Sequence, residues 1–121
     1  MKTLTLRHLE VCFFKTSSET EPAREWLKNL EISDKKIIGE DLKIVQYKWP
    51  MGKPLVASLG HGLWELRSKL SQGKIARVIF FMDNNQMILV NGFIKKTQKT
   101  PQEELELARK RKGLFERRLK N

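Results

Sequence analysis

The stretch LWELRSKLSQGKIARVIFFMDNNQMILVNGFI, residues 63–94, decides the fold. It contains three runs with strand character, 63–70, 75–82 and 86–94, which are separated by the short polar segments SQGK and DNN. Runs rich in β-branched and aromatic residues, bounded by turn residues, are typical of consecutive hairpins. We therefore predict a three-stranded antiparallel meander.

The three runs differ in how their polar residues are spaced. In the first, Trp64 and Leu66 alternate with Glu65 and Arg67, which predicts a half-exposed strand. The second and third runs are apolar at nearly every position, which predicts central strands covered on both faces. Arg77 stands out in the second run. Because an isolated charge in an apolar strand is unfavourable, this side chain either pairs with Glu65 or a carboxylate of the last helix, or serves a function.

Outward from the meander, the pattern predicts one more strand and three helices. Residues 3–14 have strand composition, and the apolar residues of 16–30 and 34–49 recur at helical spacing. Residues 51–62, rich in glycine and proline, predict a loop. Residues 100–121 predict a terminal helix with a stripe of Leu105, Ala108, Phe115 and Leu119, which Gly113 ends or bends. The order is β-α-α-β-β-β-α: an α+β fold with an antiparallel sheet packed against a helical hairpin and a C-terminal helix.

Hydroxyl side chains stand at the expected start of each helix. Thr20 before Pro22 and Ser33 before the second helix are candidate N-caps, and Thr100 with Glu103 forms a capping box around Pro101.

Length and composition limit the class of protein. The 121 residues suit a single domain over 1–121, and the net charge of +10, concentrated after residue 95, favours a polyanionic or acidic partner. The single cysteine, Cys12, cannot form an internal disulfide and is expected to be a buried bystander in a reducing compartment. No run is long and apolar enough for a membrane span, and the first residues do not resemble a signal peptide. We expect a cytoplasmic protein without membrane contact.

The candidate chemistry is cationic. The sequence has no paired histidines, CxxC motif, aspartate cluster or glycine-rich phosphate loop, so we expect no metal or other cofactor. Basic residues on or near the sheet could instead bind phosphate and stabilise a pentacoordinate phosphorane; they are Arg67, Lys69, Arg77, Lys95, Lys96 and Lys99.

A nuclease without a metal is best suited to RNA, because the 2′-OH supplies the nucleophile. A lysine whose pKa is lowered by neighbouring cations can transfer a proton, whereas arginine stays protonated and suits charge stabilisation. His61, between two glycines, is a lesser candidate for acid or base.

The register of the first hairpin decides whether the two arginines act together. If SQG forms a three-residue loop, Arg67 lies directly opposite Arg77 on one face, which is unfavourable without an intervening anion. If only Gln72 and Gly73 turn, the two guanidinium groups lie on opposite faces.

The segments GLWELRSKL, IARVIFF and NGFIKKTQKTPQEELELARKR together resemble the RelE/ParE superfamily of bacterial toxins, in particular its HigB-like, phage-derived branch. The resemblance is close over residues 60–112. It implies a small RelE-like toxin of a type II toxin-antitoxin system, which cleaves mRNA on the ribosome, inhibits translation and is neutralised by a helix-turn-helix, HigA-like antitoxin.

The resemblance also implies roles for individual residues. Arg67 matches the arginine of the ELR strand and Arg77 that of the central strand, and the basic joint contains Lys95, Lys96 and Lys99. Many RelE-like nucleases use a tyrosine near the C-terminus, whereas the one tyrosine here, Tyr47, falls in the second predicted helix.

Taken with the cationic sheet, the resemblance predicts catalytic roles for Arg67, Arg77, Lys95 and Lys96. RNA-binding roles are predicted for Lys69, Lys99, Arg109, Lys110 and Arg111, although the RKRK run at 109–112 also fits an ordinary exposed helical face.

Two other functions remain open from the sequence. A ParE-like protein that inhibits DNA gyrase without catalysis would have much the same fold and charge. A basic RNA-binding module without activity would also account for the RKRK run.

Overall fold

The computed structural model describes residues 9–95 and 99–120 of the chain. Its elements are β1 (Glu10–Phe13), α1 (Pro22–Lys28), α2 (Ile32–Lys48), β2 (Val56–Gly60), β3 (Leu63–Lys69), β4 (Ile75–Asp83), β5 (Gln86–Ile94) and α3 (Gln102–Leu119). A short 3₁₀ turn, Ser71–Gly73, joins β3 to β4. The α+β class is confirmed; the beginning of the first predicted strand, residues 3–8, lies outside the described residues.

The strands form one sheet in the order β1-β5-β4-β3-β2. The predicted antiparallel meander is confirmed as β3, β4 and β5. The predicted antiparallel arrangement holds for β2 to β5 but not for β1, which runs parallel to β5, with Glu10 opposite Gln86 and Phe13 opposite Leu89. Tight hairpins fix the directions of the meander strands, but β1 reaches the sheet through two helices, so no turn chemistry dictates its direction.

β2 is a strand that the sequence did not predict. It lies within residues 51–62, where proline and glycine indicated a loop, and it adds an edge to the sheet by pairing Val56 with Leu66 and Ala57 with Glu65. The residues that indicated a loop lie at the ends of this strand. Two prolines precede it, and Gly60, its last residue, and Gly62, in the turn that follows, adopt φ values of +85° and +76°.

Helices cover both faces of the sheet. The α1–α2 face is filled by a cluster that includes Ile38, Val45, Leu66, Val78 and Phe80, and the α3 face by one that includes Leu63, Ile79, Phe81, Val90 and Ala108. This confirms that β4 and β5 are central and covered on both sides. Glu65 was expected on an exposed face but is fully buried, because that face of β3 lies under α3.

The approach of α1 to β5 depends on a glycine. A Cβ atom on Gly92 would lie 2.2 Å from a ring carbon of Trp26, so a side chain at this position would displace the indole. The tryptophan ring therefore packs directly on the backbone of β5.

None of the three helices uses the predicted side-chain cap. The residues at the helix starts are Glu21, Glu31 and Pro101, and none makes a capping side-chain hydrogen bond. Thr20 bonds instead with Thr16, at 2.7 Å between the hydroxyl oxygens, and Ser33 lies inside α2.

α3 also departs from its predicted pattern at its C-terminal half. It continues through Gly113 to Leu119, and Leu119, which was expected in the core-facing stripe, is 60% exposed. Leu119 therefore contributes little to the core.

A buried carboxylate fastens α2 to the β3–β4 turn. Asp34 accepts hydrogen bonds from the backbone N–H and the hydroxyl of Ser71, at 3.2 and 3.0 Å, and from Lys74 Nζ at 3.3 Å. Burial alone would raise the pKa of Asp34, but these bonds outweigh burial and hold the pKa below its ordinary value. The turn that sets the β3–β4 register is thus anchored to the helical hairpin.

Candidate nucleic-acid site

Arg67 and Arg77 are direct cross-strand neighbours on β3 and β4. The loop between the strands is the three-residue Ser71–Gly73 turn, in which Gln72 and Gly73 adopt positive φ values of +59° and +73°. The register that places both guanidinium groups on one face is therefore confirmed.

The anion that this register requires is Glu65. Its Oε1 accepts hydrogen bonds from Arg67 Nε at 3.0 Å and Arg77 Nη1 at 2.9 Å. Glu65 and Arg77 are 0% and 1% exposed, while Arg67 is 32% exposed. The pairing of Arg77 with Glu65, one of the two readings of its sequence position, is confirmed, and the shared carboxylate relieves the repulsion between the arginines.

Thr100 completes this buried cluster from the start of α3. Its hydroxyl donates to Glu65 Oε2 at 2.5 Å and accepts from Arg77 Nη1 at 2.8 Å. The threonine that sequence reasoning assigned to a helix cap therefore links α3 to the floor of the sheet. We call Glu65, Arg67, Arg77 and Thr100 the carboxylate–arginine cluster.

Lys95 lies beside this cluster, just beyond the end of β5. Its backbone N–H bonds to Ile75 O at 2.7 Å, which continues the β4–β5 ladder by one step. Desolvation lowers the pKa of the Lys95 amine, and the positive charges of Arg77 and Arg67 lower it further, against an opposing effect of Glu65. The Lys95 amine, with its lowered pKa, therefore gives up its proton more readily than an ordinary lysine does.

A shallow, open depression lies over the cluster, between the sheet and the start of α3. Its lining includes Arg67, Arg77, Lys99 and Thr100, together with the polar side chains of Ser58 and Gln102. Among the described residues at this depression, Arg67, Arg77 and Lys99 are cations and Glu65 is the one carboxylate beneath them, so the positive charges outnumber the negative. Such a surface can bind a phosphate group and stabilise additional negative charge that develops on it.

The other predicted RNA-binding residues are not gathered at this depression. Lys69 is exposed and lies at the end of β3, and Arg109 and Lys110 are exposed on α3. Arg111 is tied to the sheet, because its Nη1 donates to Val90 O and Asn91 Oδ1, each at 2.7 Å. The predicted catalytic residue Lys96 lies outside the described residues.

His61, the lesser candidate for acid or base, and Tyr47, the one tyrosine of the sequence, both lie away from the cluster. His61 is exposed in the β2–β3 turn, at the opposite end of β3 from Arg67. Tyr47 belongs to α2 and is 61% exposed.

Sequence reasoning identified only part of the polar network that holds the site together. It named Glu65 as one possible partner of Arg77 but placed it on an exposed strand face, whereas Glu65 is fully buried. Asn91 was passed over in an apolar run, although its Nδ2 donates to the carbonyl of Glu104 at 2.9 Å and holds α3 to β5. A lone amide in such a run is the signal that could have identified it.

Within residues 9–95 and 99–120, no three His, Cys, Asp or Glu side chains are grouped so that they could hold a metal ion. None of the helices in this described part has the length and apolarity needed to cross a bilayer.

Comparison with known families finds a match over most of the chain. The sequence profile of the family described as phage derived protein Gp49-like (DUF891) matches residues 25–113. This span runs from α1 into α3 and contains every residue of the carboxylate–arginine cluster. No curated protein matches the chain.

Proposed function

We propose that this chain, which belongs to the Gp49-like family of phage-derived proteins within the RelE/ParE-like toxin clan, is a HigB-like endoribonuclease toxin. It cleaves mRNA on the ribosome through attack of the 2′-OH, inhibits translation, and is neutralised by a helix-turn-helix antitoxin in the cytoplasm. The observation that carries the proposal is the meeting of Arg67, Arg77 and Lys95 on one face of the sheet, beside an open depression.

The arginines suit the charge of the reaction. Attack of the 2′-OH on the neighbouring phosphorus gives a phosphorane with more negative charge on its nonbridging oxygens than the phosphodiester has. Arg67 is partly exposed and can reach a bound phosphate, whereas Arg77 is buried and acts through its fixed charge. Their shared carboxylate holds both guanidinium groups in place before substrate arrives, which is the preorganisation that electrostatic catalysis requires.

Lys95 suits the proton transfer. Cleavage needs a base for the 2′-OH and an acid for the leaving 5′-oxygen. A lysine of ordinary pKa holds its proton too tightly to act as base near neutral pH, so the lowered pKa of Lys95 makes it the best candidate among the described residues. Arg109 and Lys110, exposed on α3, provide separate phosphate contacts with ribosomal or messenger RNA.

One observation favours a ParE-like inhibitor of DNA gyrase as the second candidate. Glu65 already engages both arginines, and a cluster neutralised in this way could serve only to hold α3 on the sheet. In that case the basic surface would bind a protein rather than RNA.

The test is induction of the chain from a tightly controlled promoter, with mapping of new RNA 5′ ends and of DNA integrity. Lys95→Met removes the amine at the site, and Lys43→Met is the matched control, because Lys43 is an exposed lysine of α2. We expect new cuts in translated mRNA for the wild type and Lys43→Met, and their loss in Lys95→Met. Growth arrest with intact RNA and broken DNA would instead establish the gyrase alternative.

Lys95→Met is preferred to a change at Arg77 because Arg77 is part of the buried cluster. Loss of cleavage in an Arg77 variant would not distinguish a missing catalytic charge from a destabilised fold.

A further inference from the structure

A second depression adjoins the one that lies over the carboxylate–arginine cluster, and the two share one residue. It lies at the β2–β3 end of the sheet next to α2, and Ile37, Asp41, Pro54, Leu55, Arg67 and Lys69 line it. Arg67 lines both depressions, so it stands at the boundary between them. The backbone fixes this arrangement, because Arg67 N donates to Leu55 O at 2.8 Å.

The two depressions differ in chemistry. The first is lined by cations and hydroxyl or amide groups together with two leucines, whereas the second has apolar walls formed by Ile37, Pro54 and Leu55, with Lys69 and the shared Arg67 beside them. Asp41 is the one carboxylate in its lining, is half-buried, and takes part in no salt bridge within the described ranges 9–95 and 99–120. A depression that has apolar walls, one carboxylate acceptor and the cations Arg67 and Lys69 at its margin suits the chemistry of a nucleotide, which combines a flat base with an anionic phosphate.

We propose that this second depression is a base-binding subsite, in which Asp41 selects a base that carries an amino group and disfavours uracil. The inference rests on the proposed function. The nucleotide's phosphate lies at the Arg67 boundary, and its base packs against Pro54 and Leu55.

The selectivity follows from the groups that the bases present. Adenine, cytosine and guanine each offer an exocyclic amino group, and a carboxylate accepts hydrogen bonds from such donors. Uracil offers one N–H between two carbonyl oxygens, which a carboxylate repels. A well-formed contact of this kind discriminates between bases by about tenfold.

The experiment maps RNA cut sites after induction of the full chain and counts the four bases at each position next to the cut. The probe is the cell's own mRNA. Three variants are compared with the wild type: Asp41→Asn, Asp41→Glu and Glu40→Gln. Glu40 is the adjacent, exposed acid of α2, so Glu40→Gln makes the same change in net charge outside the depression.

We expect uracil to be depleted about tenfold at one position next to the wild-type cut. Asp41→Asn should abolish the depletion, because the amide also offers a donor to uracil carbonyls, while Glu40→Gln should preserve it. Asp41→Glu, which retains the carboxylate, should preserve part of it. Thermal unfolding of each variant separates these changes from loss of the fold.

The outcomes separate the two proposals. Cuts whose base frequencies are the same in the wild type and in a folded Asp41→Asn variant overturn the base-binding subsite and leave the ribonuclease standing. An absence of cuts in the wild type overturns the proposed function and the subsite together.

Discussion

Replacement of Arg77 by methionine is expected to destabilise the fold far more than replacement of an ordinary strand residue. Glu65 is fully buried, and among its partners within residues 9–95 and 99–120, Arg77 is the one charged side chain that is buried with it. Methionine fills much of the same volume but leaves the carboxylate to Arg67, which is 32% exposed, and Thr100. The variant therefore keeps a buried anion without its buried cation.

The magnitude follows from the burial of the pair. Removal of one member of a buried ion pair costs about 3–5 kcal/mol, because the other charge stays desolvated. A domain of this size has a total stability of about 5–15 kcal/mol, so Arg77→Met could lose a large part of it. Glu65→Met should have a similar effect, because Arg67 and Arg77 would then face each other without an anion.

The double variant distinguishes a charge effect from a packing effect. In Glu65→Met/Arg77→Met both buried charges are gone and apolar side chains occupy their places. Such replacements are often neutral or stabilising, so we expect the double variant to lie within about 2 kcal/mol of the wild type. The sum of the two single losses would instead be about 6–10 kcal/mol.

The assay is urea unfolding followed by tryptophan fluorescence, which the three tryptophans make sensitive. Trp64 on β3 lies one residue from Glu65 and packs edge-on against Trp49, with ring centroids 5.0 Å apart, so unfolding of the sheet changes its surroundings. A loss below about 1 kcal/mol for Arg77→Met, or additive losses in the double variant, would refute the view of the cluster as a coupled buried pair.

Three further outcomes are expected. Gly92→Ala should lower the free energy of unfolding by about 1–3 kcal/mol, because its Cβ would lie 2.2 Å from the Trp26 ring. Gly39→Ala is the control, because Gly39 lies in α2 with open space around the added Cβ, and it should raise that free energy by about 0.5–1 kcal/mol. Equal urea midpoints for the two variants would contradict the close contact between Gly92 and Trp26. The pKa of Asp34 is lower in the folded chain than its ordinary 3.8, so its contribution to stability is complete above about pH 4 and is lost as pH falls through the folded pKa. Acid titration of Asp34→Asn should accordingly show a shallower loss of stability than the wild type below that pH. If Lys95 transfers a proton, single-turnover cleavage should show an inflection below the ordinary lysine pKa of 10.5 that disappears in Lys95→Arg, and an inflection shared by both proteins would exclude that role.

The sequence predicted those parts of the fold that local patterns determine. The meander followed from alternation and turn residues, and the helices from their apolar spacing. The parallel pairing of β1 and the short edge strand β2 did not follow, because both depend on which part of the chain offers a free sheet edge after the meander has formed. β2 has only five residues between loop-forming segments, too few for a local pattern to stand out.

The cations of the candidate site could be predicted from the sequence, whereas the full set of side chains that hold them in place could not. Arg77 was conspicuous because a charge interrupted an apolar strand, and the β3–β4 loop then placed it opposite Arg67. Glu65 is a neighbour of Arg67 on β3, but the other partner, Thr100, comes from a distant part of the chain and is separated from Glu65 by 35 positions. No local pattern distinguishes a threonine that caps a helix from one that binds across to a sheet, since the same hydroxyl suits both uses.

The shared carboxylate also bears on how such a site would work. Glu65 offsets part of the positive charge of Arg67 and Arg77, so the cluster should bind a phosphodiester in its ground state only modestly. An interaction accelerates a reaction only to the extent that it strengthens in the transition state. Guanidinium groups held by Glu65 and Thr100 need no rearrangement when negative charge builds on a phosphorane. The surplus positive charge of the depression then stabilises that added negative charge. A carboxylate that weakens the binding of substrate is therefore compatible with catalysis, provided that it fixes the arginines. Because the same contacts also stabilise the fold, the stability of the cluster and the cleavage activity have to be measured on different variants.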